Sequence, residues 1–167
     1  DCPGSLKALS LKTEIKGKKV LLLGAGGAAR AIGYGLKEEG AEIIIANRTD
    51  SKAEKLAEEL ECKFCPFEHI YNTGCNIIIN TTSVGMYPHV NDTIVEKDFL
   101  KDKIVFDIVY RPMITRMLRD AREVNSLIVE GYEMLLYQGI EQYKLWTGKE
   151  PSEKLMRDIL KKQLLCT

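Results

Sequence analysis

Two short stretches of the chain carry residue types suited to holding phosphate. The first is Gly24-Ala25-Gly26-Gly27-Ala28-Ala29, set between the apolar run Val20 to Leu23 and a helix-forming segment. In a turn of this pattern the first glycine permits the sharp bend and the second lets backbone approach a pyrophosphate. The small third residue lets helix and strand pack closely. The helix that opens there presents unpaired N–H groups and the positive end of its dipole, so Gly24 to Ala28 form the expected cradle. Glycine turns also occur for packing alone. Here the strand before, the helix after and a second strand at the right distance agree on a dinucleotide. The second stretch, Asn47-Arg48-Thr49 with Lys52, lies at the tip of that second strand. An acid that reads ribose hydroxyls stands about 20 residues past such a turn in NAD-binding units. Asn47, Arg48 and Thr49 instead offer donors and a guanidinium, which can fork an adenosine 2′-phosphate, and Lys52 adds a second cation. Cations at a helix start oppose the dipole, which makes an anionic ligand the better explanation of their presence. The reading is NADP rather than NAD. Asp50 is the counterargument, able to cap the next helix or touch a ribose.

Other reactive side chains are less organised. The cysteines are Cys2, Cys62, Cys65, Cys75 and Cys166. Cys62-x-x-Cys65 has the spacing of half a zinc site or a redox pair, but no second pair follows at finger spacing. These cysteines read as reduced thiols, and no metal site is expected. His69 and His89 fall in expected loops without partner spacing and read as surface residues.

The elements that must position the two stretches follow from hydrophobic patterning. A chain of 167 residues suits one domain. Lys+Arg and Asp+Glu balance at 24 each, which argues against bulk binding to nucleic acid or an anionic membrane. No apolar run approaches the ~20 residues of a membrane span, and the start "DCPGSLKALS" lacks the regions of a signal peptide. The expected location is cytoplasmic, with the chain whole or a domain of a larger protein. Strands are predicted over 18–23, 42–46, 76–80, 103–108 and 127–129, with a short one near 63–65. Helices are predicted over 4–14, 28–39, 51–60 (capped by Thr49 or Asp50), 114–124, 131–146 and from about Pro151 to Leu165. One helical turn is expected at 95–97. Gly40 and Gly148 are the expected helix stops. Strands alternating with helices predict an α/β fold: a Rossmann-like, doubly wound parallel sheet with helices on both faces.

Three further motifs carry a resemblance: "INTTSVGMYP" at 79–88, "FDIVYRPMITRMLRDAR" at 106–122 and "GYEMLLYQGIEQYKLWTG" at 131–148. With the glycine turn and "ANRT", taken in this order, the chain resembles the shikimate dehydrogenase family over nearly its whole length, in single-function or fused form. The resemblance implies reversible, NADP-dependent reduction of 3-dehydroshikimate to shikimate. It implies an N-terminal substrate domain bearing a catalytic lysine, and this chain would match only the cofactor half. Residues 1–15 would then be a linker helix, 16–130 the NADP-binding domain and 131–167 C-terminal helices packing toward the other domain. Asp1 would match the aspartate that pairs with the lysine and touches substrate. Thr81, Thr82 and Ser83 would run by the middle of the cofactor. Ile108 and Gly131 would lie by the nicotinamide, with Met134 and Leu135 lining its pocket. Tyr110 and Gln138 would reach shikimate. Each has an ordinary alternative: Tyr110 as a strand-end aromatic, Gln138 as a solvated helix residue, Met134 and Leu135 as core, the hydroxyl residues as turn formers. This chain alone is expected to bind NADP(H) with little turnover. Leu155, Ile159, Leu160 and Leu164 are expected to form an exposed apolar face that favours self-association. A quinate-directed relative, using NAD, and a non-catalytic nucleotide-binding module stay as alternatives.

Overall fold

The computed structural model describes residues 2–165. Asp1 and Cys166 lie outside the described residues. Six helices, α1 (Cys2–Ser10), α2 (Gly27–Glu38), α3 (Asp50–Leu60), α4 (Arg116–Glu123), α5 (Gly131–Thr147) and α6 (Glu153–Leu165), surround one sheet. Its strands are β1 (Lys19–Leu23), β2 (Glu42–Ala46), β3 (Lys63–Phe64), β4 (Ile77–Asn80), β5 (Ile104–Asp107) and β6 (Leu127–Val129). They run parallel in the order β3-β2-β1-β4-β5-β6. This is the doubly wound arrangement expected from the alternation of apolar strands and amphipathic helices.

The strands are short and apolar because both faces are covered. Val20 and Leu22 of β1, Ile43 and Ile45 of β2, and Ile77 and Ile79 of β4 join α2, α3 and α5 in one core. Their alternates Leu21, Leu23, Ile44 and Ile78 join α4, Val95, and Ile70 and Leu100 of two 3-10 segments in a second. The chain leaves β1 toward β2 and later returns on the other side as β4. That reversal opens a crevice at the carboxyl ends of β1 and β4. Register lines up the strand ends, with Leu23 paired to both Ala46 and Asn80, and Asn80 paired to Asp107. Four strand ends thus stand in a row at one edge of the sheet.

Several expected elements shift. Helix α1 starts at Cys2 and ends at Ser10 instead of spanning 4–14. Gly4 lies inside it because α1 presses on α5: a Cβ there would sit 2.5 Å from the Met134 carbonyl oxygen. The turn expected at 95–97 is a 3-10 segment at Lys97–Leu100, anchored by buried Leu100, while Glu96 is extended. His69 stands exposed in another 3-10 segment, Phe67–Asn72. Gly40 (φ +77°) and Gly148 (φ +66°) follow α2 and α5 as expected of helix stops. In α6, Leu155 and Ile159 are exposed, but Leu160 packs on the main core. Leu164 is half-buried, lying with Leu165 by Tyr87 and Pro112.

Candidate dinucleotide site

Above the row of strand ends, the glycine turn is locked to the loop after β4. Gly24 has φ +116°, and its N–H donates to the Ala46 carbonyl (2.8 Å). A Cβ there would lie 2.5 Å from Thr81 Oγ1. The Thr81 hydroxyl in turn donates to the Leu23 carbonyl (2.7 Å). Gly26 and Gly27 differ: no atom lies within 4 Å of a Cβ built on either, so open space faces this turn. Gly26 caps α2 without a side-chain hydrogen bond, and the first turn of α2 holds no acid. Ala29 is fully buried, the close helix–strand contact that its small size permits. The cradle therefore has room, free donors and a helix N-terminus.

At the tip of β2, the Asn47 side-chain amide donates to the Thr49 carbonyl (3.0 Å). Arg48 and Lys52 are exposed, and among the described residues neither side chain makes a hydrogen bond or ion pair. Thr49 occupies the cap position of α3 without a side-chain cap bond. Asp50 is committed elsewhere, its Oδ1 accepting from the Phe67 N–H (3.1 Å). That bond draws Phe67 to a pocket of about 340 Å³ lined also by Asn47, Arg48, Thr82, Ser83 and Ile94. A second pocket of about 500 Å³ is lined by Thr81, Thr82, Ser83, Met86, Tyr87, Ile108, Val109, Tyr110 and Arg111. Thr82 and Ser83 belong to both, so the two form one trough along the strand ends.

A buried polar network sets the shape of this trough. Asp107, at the end of β5, is fully buried. Its Oδ1 accepts from Asn80 Nδ2 (3.0 Å) and the Val109 N–H (3.1 Å), and its Oδ2 accepts from the Thr115 hydroxyl (2.7 Å). Burial pushes the Asp107 carboxyl up to about 6, against the opposing pull of those three hydrogen bonds. Asn80 Oδ1 accepts from the Thr82 N–H (2.9 Å) and hydroxyl (2.7 Å), and Thr82 Oγ1 accepts from the Val84 N–H (3.1 Å). The hydroxyls of Thr81 and Thr82 thus build the loop, and Ser83 is left exposed at the trough.

The structure brings together Asn47 and Arg48 with Thr82 and Ser83, and Thr81 to Ser83 with Ile108 and Tyr110. Gly131 begins α5 against the backbone of the Ile108 turn, where a Cβ would meet the Val109 carbonyl oxygen at 2.5 Å. Neither pocket is lined by Met134, Leu135 or Gln138, nor by Gly24 to Ala28, Thr49, Lys52 or Gly131. Met134 is part of the main core, and the Gln138 backbone lies against Gly4 of α1. Gln138 stands two turns along α5 from Gly131, roughly 10 Å of axial rise. Asp107, Asn80, Thr115 and Phe67 were not singled out from sequence. Asn80 and Asp107 carry one signal, a polar residue closing an apolar strand, as in "IIIN" and "VFD". Away from the trough, Cys62 and Cys65 are free thiols, that of Cys65 donating to the Pro66 carbonyl (3.4 Å), and burial raises both, Cys62 to about 11.

Comparison with known proteins follows the same lines. The family model described as Shikimate / quinate 5-dehydrogenase matches residues 7–130, and that of the Shikimate 5'-dehydrogenase C-terminal domain matches 131–161. Shikimate dehydrogenase (NADP(+)) of Methanothermobacter thermautotrophicus is 42% identical over 175 residues, which cover 98% of this chain and 62% of that protein. The crystal structure of shikimate 5-dehydrogenase from Thermus thermophilus in complex with NADP(H) and shikimate superposes with a TM-score of 0.86 at 34% identity. It covers 96% of this chain and 61% of that one. Quinate dehydrogenase from Corynebacterium glutamicum in complex with NAD gives a TM-score of 0.81 at 26% identity, over 93% of this chain and 57% of that one. The chain spans less than two thirds of the length of these relatives. With both family models matched in order and a fold shared along nearly all its length, the chain belongs to the shikimate/quinate 5-dehydrogenase family.

Proposed function

We propose that the trough binds NADP(H), and that the whole protein uses it to interconvert 3-dehydroshikimate and shikimate. The observation that carries the cofactor choice is the pair Arg48 and Lys52, exposed and unpaired among the described residues where an acid would select NAD. Asp50, the one acid at that tip, already accepts from the Phe67 backbone.

In this reading Gly24 to Ala28 hold the pyrophosphate through backbone N–H groups, and Arg48 forks the 2′-phosphate. Thr81 to Ser83 form one wall at the nicotinamide end, with Ile108 and the start of α5 at Gly131 forming the other. Tyr110, at the mouth of the second pocket, faces the substrate. The bound nicotinamide supplies or accepts the hydride. The chain's own part is orientation, since holding donor and acceptor in one geometry supplies much of the rate. Proton transfer falls to a lysine–aspartate pair, with Asp1 as the aspartate and the lysine on a neighbouring α/β domain. The second reading, quinate with NAD, is favoured by the likeness to the NAD complex of a quinate dehydrogenase.

Titration of the chain with NADPH and with NADH tests the assignment. Replacing Arg48 by Ala should weaken NADPH strongly and NADH little. Equal losses for the two cofactors would remove the 2′-phosphate from Arg48. Steady-state assays of the whole protein on shikimate and quinate separate the two substrates.

A further inference from the structure

We infer that Asp107 is a positioning residue that sets the width of the trough at its nicotinamide end, by tying the loop after β4 to the loop after β5. The inference rests on the NADP(H) reading of the same trough.

The two walls of the second pocket come from separate parts of the chain. Thr81 to Ser83 follow β4, and Ile108 to Arg111 follow β5. The β4–β5 ladder brings them together as far as the Ile108 N–H, which donates to the Asn80 carbonyl (3.1 Å), and the side-chain tie beyond that is the Asp107 carboxylate beneath them. On one side Asp107 Oδ1 takes the Asn80 amide, and Asn80 Oδ1 holds both the N–H and the hydroxyl of Thr82. On the other side the same Oδ1 takes the Val109 N–H, and Oδ2 takes the Thr115 hydroxyl. Thr115 also accepts from the Leu118 N–H (3.4 Å), so the tie extends to the start of α4. An ionised carboxylate is acceptor-only, and the three groups around it are donors, so the chemistry of the site fits an acid.

Stability does not explain the choice of an acid here. A buried carboxylate without a cation partner is disfavoured. The influences on Asp107 are burial and three hydrogen bonds, with no charged neighbour among them. An apolar residue would fill the end of a parallel strand at lower cost. What an apolar residue cannot do is accept from Asn80, Val109 and Thr115 together. The function that accounts for the acid is alignment of two loops across which a flat ring must fit.

The test uses two ligands of different reach. NADPH spans the whole trough, whereas adenosine 2′,5′-bisphosphate reaches only the Arg48 end. For Asp107→Ala, NADPH affinity should fall at least about tenfold, a loss of about 1.4 kcal/mol. The bisphosphate should stay within about threefold, or roughly 0.7 kcal/mol. Asp107→Asn keeps an Oδ1 acceptor for Asn80 and Val109 and should restore most of the NADPH affinity. Val105→Ala, a cavity in the same strand at a fully buried position, should lower the melting temperature and leave both affinities unchanged.

Equal losses for both ligands in D107A, or none, would overturn the tie. An NADPH loss in V105A matching that of D107A would assign the effect to general loosening and overturn it as well. Failure of the unsubstituted chain to bind either ligand would instead sink the NADP(H) reading itself. If D107A does not fold, Thr115→Val compared with Thr115→Ser asks the same question. A selective NADPH loss in the valine variant supports the tie, and its absence overturns it.

Discussion

The two halves of the sheet handle polar groups in opposite ways. In the β1–β2 half, donors are left open: Gly26 and Gly27 face empty space, and Arg48 and Lys52 have no described partner. In the β4–β5 half, Asn80, Asp107 and Thr115 are buried and satisfy one another. Among the described residues, no buried side-chain polar atom lacks a partner. In the proposed reading an anion completes the first half, whereas the second is satisfied by its own side chains. The proposal thus assigns recognition and alignment to different strands of the same sheet, whose pockets share Thr82 and Ser83.

The contrast breaks most severely at Gly24, where the halves touch. Gly24→Ala adds a Cβ at φ +116°, 2.5 Å from Thr81 Oγ1. Left-handed strain and overpacking together should cost about 2–4 kcal/mol of stability. NADPH binding should be lost; denaturant unfolding and titration of the same sample check both. In the closed half, Asp107→Asn sharpens the contrast through pH. The folded-state pKa of about 6 lies above the ordinary carboxylate value. The stability linked to this group is therefore full below about pH 4 and lost as pH rises through about 6. Asn does not titrate, so the stability of wild type relative to D107N should fall by up to about 3 kcal/mol between pH 4 and pH 7. Urea unfolding at the two pH values measures the difference, and a constant gap would contradict it.

Arg48→Ala comes next in size. Loss of a charge-assisted, forked contact of about 1.5–3 kcal/mol should weaken NADPH roughly 10- to 100-fold. NADH should change by less than about threefold, and stability hardly at all, because the side chain is exposed and unpaired. Lys52→Ala should produce the smallest effect. A single exposed cation contributes about 0.2–1 kcal/mol, so NADPH affinity should fall about two- to fivefold, and less at high salt. Titrations at two ionic strengths separate that from a salt-independent loss.

The open half was legible in the sequence, and the closed half was not. The bounds of β2 and β6 could be read because each is a short apolar run between turn signals. The glycine turn and Arg48 could be read because their meaning is local: a bend, a helix start, a charge at a strand tip. The partnership of Asn80 and Asp107 is not local. The two lie 27 residues apart and meet only when β4 and β5 pair in register. Each alone is one polar residue at the end of an apolar run. The bounds of α1 shift for a similar reason: its packing against α5 at Gly4 is a contact with a segment more than 100 residues away. The roles of Met134, Leu135 and Gln138 rest on resemblance alone, since no local bend, charge or helix start marks them.

Helix α6 has no fully buried residue. It meets α5 through Arg157, which pairs with Glu133 and donates to the Tyr137 hydroxyl, through the Tyr137 hydroxyl donating to Glu153, and through Lys161 over the Tyr132 ring. Its apolar contacts with the core come from half-buried Met156 and Leu160, and an element with so little buried surface unfolds by itself at a free-energy cost well below that of the sheet. Its amides should therefore exchange with solvent ahead of all six strands, and a protease should find the segment between Gly148 and Ser152 first. Two cooperative units are then expected: a sheet that melts as a whole, and a terminal helix that opens on its own clock.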